Sequence, residues 1–151
     1  MKIELYDKPF NPWDELSRYH LGDAAVQGSV GATCVFVGTM RDFNEGDNVK
    51  AMYLEHYPEM TAKYLQKIAT EARQKWEIED VLMIHRYGEI NPNDTIVLLA
   101  VWSAHRQQAF DACRYLIEEL KSRAPFWKKE TLAEDNSTRW VQGHKNDTTS
   151  A

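Results

Sequence analysis

The stretch Lys121-Ser122-Arg123-Ala124-Pro125-Phe126-Trp127-Lys128-Lys129-Glu130 sets a helix end, a corner and a strand start within ten residues. Pro125 has no backbone N–H and biases the residue before it away from helical geometry. A helix arriving from the N-terminal side is expected to stop near Arg123, and an extended segment to start near Phe126. The stretch gathers four cations in nine residues, with no acid until Glu130, in a chain of formal net charge -5. Lys121 falls in the last helical turn and Lys128 on the strand. Two lysines on elements that meet at a corner can share one pocket, and such a pocket suits an anion. A plainer reading stays open beside it: basic residues offset the partial negative charge of a helix C-terminus, and lysines on an edge strand discourage aggregation.

Upstream of the corner, Ala109, Phe110, Cys113, Leu116, Ile117 and Leu120 form the buried stripe of a long helix that runs into Lys121. Ser103-Ala104-His105-Arg106 enters that helix from residues 95–103, a nearly all-apolar strand expected to be buried on both faces. Residues 80–87 read as another strand, and Asn91-Pro92-Asn93-Asp94 as a turn. Pro58 opens a second long helix. It carries Met60, Tyr64, Leu65, Ile68, Ala72 and Trp76 on one side and Lys63, Lys67, Glu71 and Lys75 on the other.

Residues 49–57 alternate as a strand, with Lys50, Met52, Leu54 and His56 on one face. Residues 31–38 are an apolar run that reads as a central strand, followed by a polar, mobile loop over 39–48. Asn11-Pro12-Trp13-Asp14-Glu15 is a helix start, with an Asn cap, Pro at the first position and acids in the first turn; that helix ends before Gly22. Residues 3–6 make a short strand. Downstream of the corner, residues 126–132 and 138–141 form a hairpin. The expected fold is α+β, with residues 1–142 as one catalytic domain and 143–151 as a polar, frayed tail.

A chain of 151 residues suits one domain with a real core. No run approaches the length of a membrane helix, and the N-terminus has no apolar signal region, so the expected location is cytoplasmic and no membrane partner is expected. Cys34 and Cys113 form no C-x-x-C pair and read as small buried hydrophobes. A sequence pI near 5.5 argues against a general nucleic-acid binder. There is no phosphate-binding glycine motif, no metal-ligand spacing around His85 or His105, and no G-x-S-x-G elbow, so no cofactor and no metal are expected.

Cations stand at several element ends: Arg41 after one strand, His105 and Arg106 after another, Lys121, Lys128 and Lys129 at the corner, and Arg139 on the last strand. If the strands over 31–38 and 95–103 are parallel neighbours, Arg41, His105 and Arg106 share one edge of the sheet. An arginine offers bidentate binding to phosphate or carboxylate, and a histidine binds an anion or moves a proton. The plainer reading makes His105 a helix-entry residue and Arg106 a surface charge.

Five stretches together resemble one family, that of the large, catalytic subunit of molybdopterin synthase. They are Phe36-Val37-Gly38-Thr39-Met40-Arg41-Asp42-Phe43-Asn44, Leu54-Glu55-His56-Tyr57-Pro58-Glu59-Met60, Ile84-His85-Arg86-Tyr87-Gly88-Glu89, Ser103-Ala104-His105-Arg106, and residues 120–130. The resemblance implies an α/β hammerhead core with an added antiparallel subdomain. It implies conversion of cyclic pyranopterin monophosphate into molybdopterin, with sulfur arriving as a thiocarboxylate on the C-terminal Gly-Gly tail of a small ubiquitin-like partner. It implies a heterotetramer with a dimer of large subunits at its centre. By matched position, Lys121 resembles the essential lysine and Lys128 the second lysine of the pocket, with Lys129 and Glu130 continuing the substrate-contacting run. His105 and Arg106 resemble the substrate-binding pair, and Arg41 the pocket arginine, with Thr39 and Met40 beside it. Phe36 borders the tail channel, Ile117 lines its apolar wall, and Arg139 is a candidate contribution from a neighbouring subunit. Thr39 stands where a basic residue is often expected, and Ile117 replaces a methionine seen in some members.

Two other classes compete with this reading. One is a non-catalytic anion- or nucleic-acid-binding module built on the basic-aromatic block. The other is a scaffold that only docks the small partner.

Overall fold

The computed structural model describes residues 1–21, 27–123 and 125–141. The first helix ends at Arg18, before Gly22 as expected, and the expected frayed tail over 143–151 lies outside the described residues.

Four strands make the main sheet: β1 (Lys2–Tyr6), β5 (Ile78–Arg86), β7 (Thr95–Ser103) and β2 (Ala32–Thr39), in that order. β1 is parallel to β5, whereas β5–β7 and β7–β2 are antiparallel. Helices α2 (Pro58–Lys75) and α3 (Arg106–Arg123) cover one face. Their buried residues Leu65, Ile68, Ala72, Ala112, Cys113, Leu116 and Leu120 pack on Val81, Met83, Val97, Leu99 and Val101. The other face packs Leu82, Ile84, Leu98, Ala100 and Trp102 under Phe10, Leu16 and Tyr19, which flank α1 (Pro12–Arg18) or lie on it. Strands with apolar side chains on both faces are what a sheet covered on both faces requires. The Asn11 cap is realised: its Oδ1 accepts from the N–H groups of Trp13 at 2.9 Å and Asp14 at 3.2 Å.

A second, antiparallel sheet holds β3 (Phe43–Asn44), β4 (Asp47–His56), β8 (Phe126–Leu132) and β9 (Thr138–Val141), with β6 (Gly88–Ile90) also paired to β4. Its own core is Met40, Val49, Met52, Leu54 and Ile90. The mixture of a helix-covered sheet and an antiparallel sheet is the α+β fold expected from the sequence. Among the described residues no helix is long and apolar enough to cross a membrane.

Four expectations are corrected. Residues 32–39 form an edge strand of the main sheet, not a central one: among the described residues β2 pairs only with β7. An apolar run reports cover above and below a strand and carries no information about its lateral neighbours. The polar loop over 39–48 contains a tight hairpin, β3 to β4, turned by Glu45 (φ 52°) and Gly46 (φ 82°); two consecutive left-handed residues are the signature of such a turn. Alternation along β4 is broken by a bulge at Lys50, which has no partner between the Val49–Leu132 and Ala51–Thr131 pairs. The extra residue puts Val49 on the same buried side as Met52 and Leu54. Met60 and Phe110, expected in the helical stripes, are 59% and 62% exposed, while Thr61, Ala69 and Ala112 take the buried positions.

Candidate active site

The topology decides which cations can meet within one chain. Thr39 pairs with Thr95, and Ala32 with Ser103. The end of β2 that leads to Arg41 is therefore opposite the end of β7 that leads to His105. The parallel arrangement that would have put Arg41 beside His105 and Arg106 is absent: β2 and β7 are antiparallel. Helix α3 starts beside Ser103 and runs back along the sheet, a length of about 27 Å for 18 residues at 1.5 Å each. Its last turn carries Lys121 to the Thr39–Thr95 end. One chain thus has a Lys121 end, with Arg41, and a His105 end, with Arg106.

At the Lys121 end, β8 brings in Lys128. Leu120 shares a core cluster with Val97, and Val97 pairs with His85. The His85 ring stacks on Phe126 with centroids 4.1 Å apart and planes 15° apart. Phe126 and Lys128 are alternate residues of β8 and project to the same face. Lys121, next to Leu120 at the end of α3, and Lys128 on β8 therefore both lie toward the Val97–His85 end of the main sheet. His85 stays neutral there: burial holds its pKa down at about 4, with the charges of Lys128 and His56 adding to the effect against a hydrogen bond from Nδ1 to the Arg86 carbonyl. His56, 5.8 Å from Phe126 by centroids, is also lowered by burial.

The apolar wall follows from β2 and α3. Phe36 and Ile117 are half-buried against the helix-covered core. Gly38 is needed beside them, because a Cβ there would stand 2.7 Å from Val97 Cγ1 and 3.4 Å from Phe36 Cε1. Cys34 and Cys113 are free and neighbour each other under the same helix; burial pushes the Cys113 thiol well above its usual pKa, so Cys113 is not primed as a nucleophile.

Other expected site residues are placed differently. Met40 is 5% exposed and packs in the second core, so its side chain is structural. Thr39 is exposed on the opposite face of β2, in an open groove of about 930 Å³ with Phe10, Trp13 and Asp94. That groove opens on the sheet face that Val35 and Val37 line, away from the helix-covered face. Arg41 is exposed and lies 5.0 Å over the Phe43 ring. Lys129 projects to the face of β8 opposite Lys128 and lies 5.7 Å over the Trp140 ring. Glu130 is 5% exposed, and its Oε1 accepts from Asn44 Nδ2 at 3.0 Å and Arg139 Nε at 3.2 Å. Arg139 further donates to Asp47 Oδ2 at 2.8 Å and to the Asn44 carbonyl at 2.9 Å. Within this chain, Arg139 and Glu130 are committed to each other and to the β3–β4 hairpin.

The His105 end has its own chemistry. His105 precedes the first turn of α3; its carbonyl accepts from Ala109 N–H at 3.3 Å. Arg106 begins the helix, and no acid occupies the first turn. Positive side chains at the positive end of a helix are unfavourable unless an anion is held there.

The sequence reading gave no role to His85, although it quoted the motif containing it. The signal was present: a histidine that directly follows the apolar run Val81-Leu82-Met83-Ile84 in a buried strand must be satisfied internally.

The MoaE protein family matches residues 11–123. The chain is 46% identical to the molybdopterin synthase catalytic subunit of Pseudomonas aeruginosa over 151 residues, covering all of this chain and 97% of that one. It is 50% identical to the catalytic subunit of Haemophilus ducreyi over 148 residues, 96% of this chain and 91% of that one. The solved molybdopterin synthase structure from Staphylococcus aureus matches with a TM-score of 0.80 and 32% identity, covering 95% of this chain and 99% of that one. The family match over residues 11–123 and relatives of 46% and 50% identity over nearly the whole of both chains agree: the chain belongs to the MoaE family.

Proposed function

We propose that this protein is the catalytic subunit of a molybdopterin synthase, a sulfurtransferase. It takes sulfur from the thiocarboxylated C-terminal Gly-Gly tail of a small ubiquitin-like partner and installs it on cyclic pyranopterin monophosphate to build the dithiolene. The observation that carries this reading is the 46% identity over the whole chain to a named catalytic subunit; Lys121 at the end of α3 and Lys128 on β8, with Phe36 and Ile117 half-buried against the same core, suit it.

The chemistry asks for such cations. The pterin carries a phosphate and the tail ends in an anion, so their repulsion must be neutralised in one site. The tail is extended and ends in residues without side chains, which fits a narrow channel beside Phe36 and Ile117. Lys121 is the general acid/base at the transfer step. Lys128 and Arg41 hold anionic groups, Arg41 by bidentate contact. The nucleophilic sulfur is the partner's, consistent with a quiet Cys113 here.

The unit that works is a dimer of this chain within a heterotetramer. His105 and Arg106 stand about 22–24 Å from Lys121 along α3, and the anion site at that helix start lacks the catalytic lysine. A second copy, related by a two-fold axis, supplies the missing end to each corner. The edge of β2 supports this: Ala32–Thr39 carries no charge and no proline, and edges so unguarded are normally covered. Residues 1–142 act as one catalytic unit, and the cytoplasm is its expected location.

The test is reconstitution. The chain is incubated with the thiocarboxylated partner and cyclic pyranopterin monophosphate, and dithiolene product is measured. Absence of product from folded protein with a competent partner overturns the reading. Tight, steeply salt-dependent binding of single-stranded nucleic acid without sulfur transfer would instead support a binding module.

A further inference from the structure

Strand β5 ends in a charge that the sulfur-transfer site does not touch. Arg86 is 4% exposed. Its Nη2 donates to the Glu89 carbonyl at 2.6 Å. Its Nη1 stands 3.7 Å from Asp94 Oδ2, an ion pair without a hydrogen bond. Nε and Nη1 have no hydrogen-bond partner. Burying a guanidinium with two idle nitrogens is a poor way to stabilise a fold, since an apolar side chain of similar length would fill the space without the desolvation cost. Placement of something else is the better account.

The path from Arg86 leads to Arg41. Asp94 closes the turn after β6: its Oδ2 accepts from Asn91 N–H at 3.0 Å. Its backbone carbonyl accepts from Met40 N–H at 2.9 Å, and Asn93 N–H donates back to the Met40 carbonyl at 2.9 Å. Asn93 is left-handed, at φ 75°, to make this exchange. The Met40 side chain is locked in the second core. The residue before Arg41 is thus gripped by the turn on one side and the core on the other, whereas the Arg41 side chain itself is exposed and lies over the Phe43 ring.

We propose that Arg86 is a positioning residue for Arg41: it anchors Asp94, and the Asp94–Met40 backbone pair then sets the direction from which Arg41 meets the substrate phosphate. This rests on the assignment of Arg41 as a phosphate ligand made above. The attraction of Arg86 for Asp94 survives burial because the medium between them is poorly polarisable. Asp94 is a quarter exposed by side chain and can return to water if Arg86 is removed, so the cost of that removal falls on geometry more than on folding.

The experiment is a double-mutant cycle on the reconstituted enzyme, with thiocarboxylated partner and cyclic pyranopterin monophosphate. The variants are Arg41→Ala, Arg86→Met, the pair together, Arg86→Lys, and Asp94→Asn. Arg41→Ala is expected to raise KM for the pterin roughly 10-fold or more, as loss of a charged hydrogen bond does. Arg86→Met is expected to raise KM roughly 3- to 10-fold with kcat within about 2-fold, an effect of the size seen between coupled residues. In the double variant Arg86→Met should add nothing to Arg41→Ala. Arg86→Lys, which keeps the charge facing Asp94, should recover most of the loss. Asp94→Asn breaks the same link from the exposed side and should reproduce the KM effect even if Arg86→Met does not fold. Independent, additive effects of Arg41→Ala and Arg86→Met would overturn the proposal, as would a fall in kcat at unchanged KM. An unchanged KM in Arg41→Ala would overturn it for a different reason, by removing Arg41 as the phosphate ligand.

Discussion

Lys128 and Lys129 are neighbours in sequence and strangers in space. Strand alternation sends Lys128 to the inner face of β8, with Phe126 and the His85 ring, and sends Lys129 to the outer face over Trp140. Their substitutions should therefore separate. Lys128→Ala is expected to lower kcat/KM for the pterin by roughly 10- to 100-fold through loss of a charged contact, and Lys129→Ala by less than about 2-fold, as for ordinary surface changes. Steady-state kinetics of the two reconstituted variants decide it. Equal losses would mean that both faces of β8 meet the substrate.

Lys121→Ala is expected to lose roughly 10²- to 10⁴-fold in turnover, the range of general acid/base catalysis. Circular dichroism and melting temperature should barely change, because Lys121 is exposed in the last turn of α3. Near-normal turnover by the folded variant would remove its role.

The separation of Lys121 and Arg106 along α3 gives a complementation test. Lys121→Ala and Arg106→Ala proteins should each be nearly inactive alone. Mixed under exchange conditions, they should recover roughly a quarter of wild-type activity, because half the dimers are hybrids with one intact site in two. No recovery, with exchange verified by a tagged copy, would place both residues in one chain's site.

His85 gives a pH dependence of stability. Its folded pKa lies near 4, below the unfolded value of about 6.5. Its neutral form therefore stabilises the fold fully above about pH 6.5, and that stabilisation is lost as pH falls toward 4, where the unfolded chain binds the extra proton first. Between pH 7 and pH 5 the loss from this group is about 2 kcal/mol. His85→Phe keeps a ring against Phe126 and removes the titration. Urea unfolding at the two pH values should show a drop smaller by about that amount in the variant; identical drops would show that His85 is not held neutral.

Gly38→Ala tests the wall. The added Cβ meets Val97 Cγ1 at 2.7 Å, and Val97 is a stiff β-branched side chain on a buried strand. Overpacking of this kind costs about 1–3 kcal/mol. A lower melting temperature with weaker binding of the partner's tail, read by calorimetry, is expected, since Phe36 lies against the same atom.

Most of the secondary structure was written in local patterns. The Asn11-Pro12 start, the Pro58 helix, the Pro125 stop and the alternation in β8 depend on neighbours in sequence, and each appears where those neighbours demand. What the sequence did not disclose depends on pairing partners. The edge position of β2 and its antiparallel relation to β7 are set by long-range register, so Arg41 and Arg106 looked like neighbours. The bulge at Lys50 was hidden because Leu132, its cross-strand reference, is distant in sequence. The site divided in the same way. The helix end that carries Lys121 and the strand that carries Lys128 were legible from the Pro125 corner. The commitment of Glu130 to Arg139 and Asn44 was not, because the hairpin that presents Asn44 read as an irregular loop.

The bare rim of β2 makes solitude hazardous for this polypeptide. An uncovered copy exposes eight uncharged residues as a template to whatever extended peptide drifts past, the hazard that any unguarded strand edge carries.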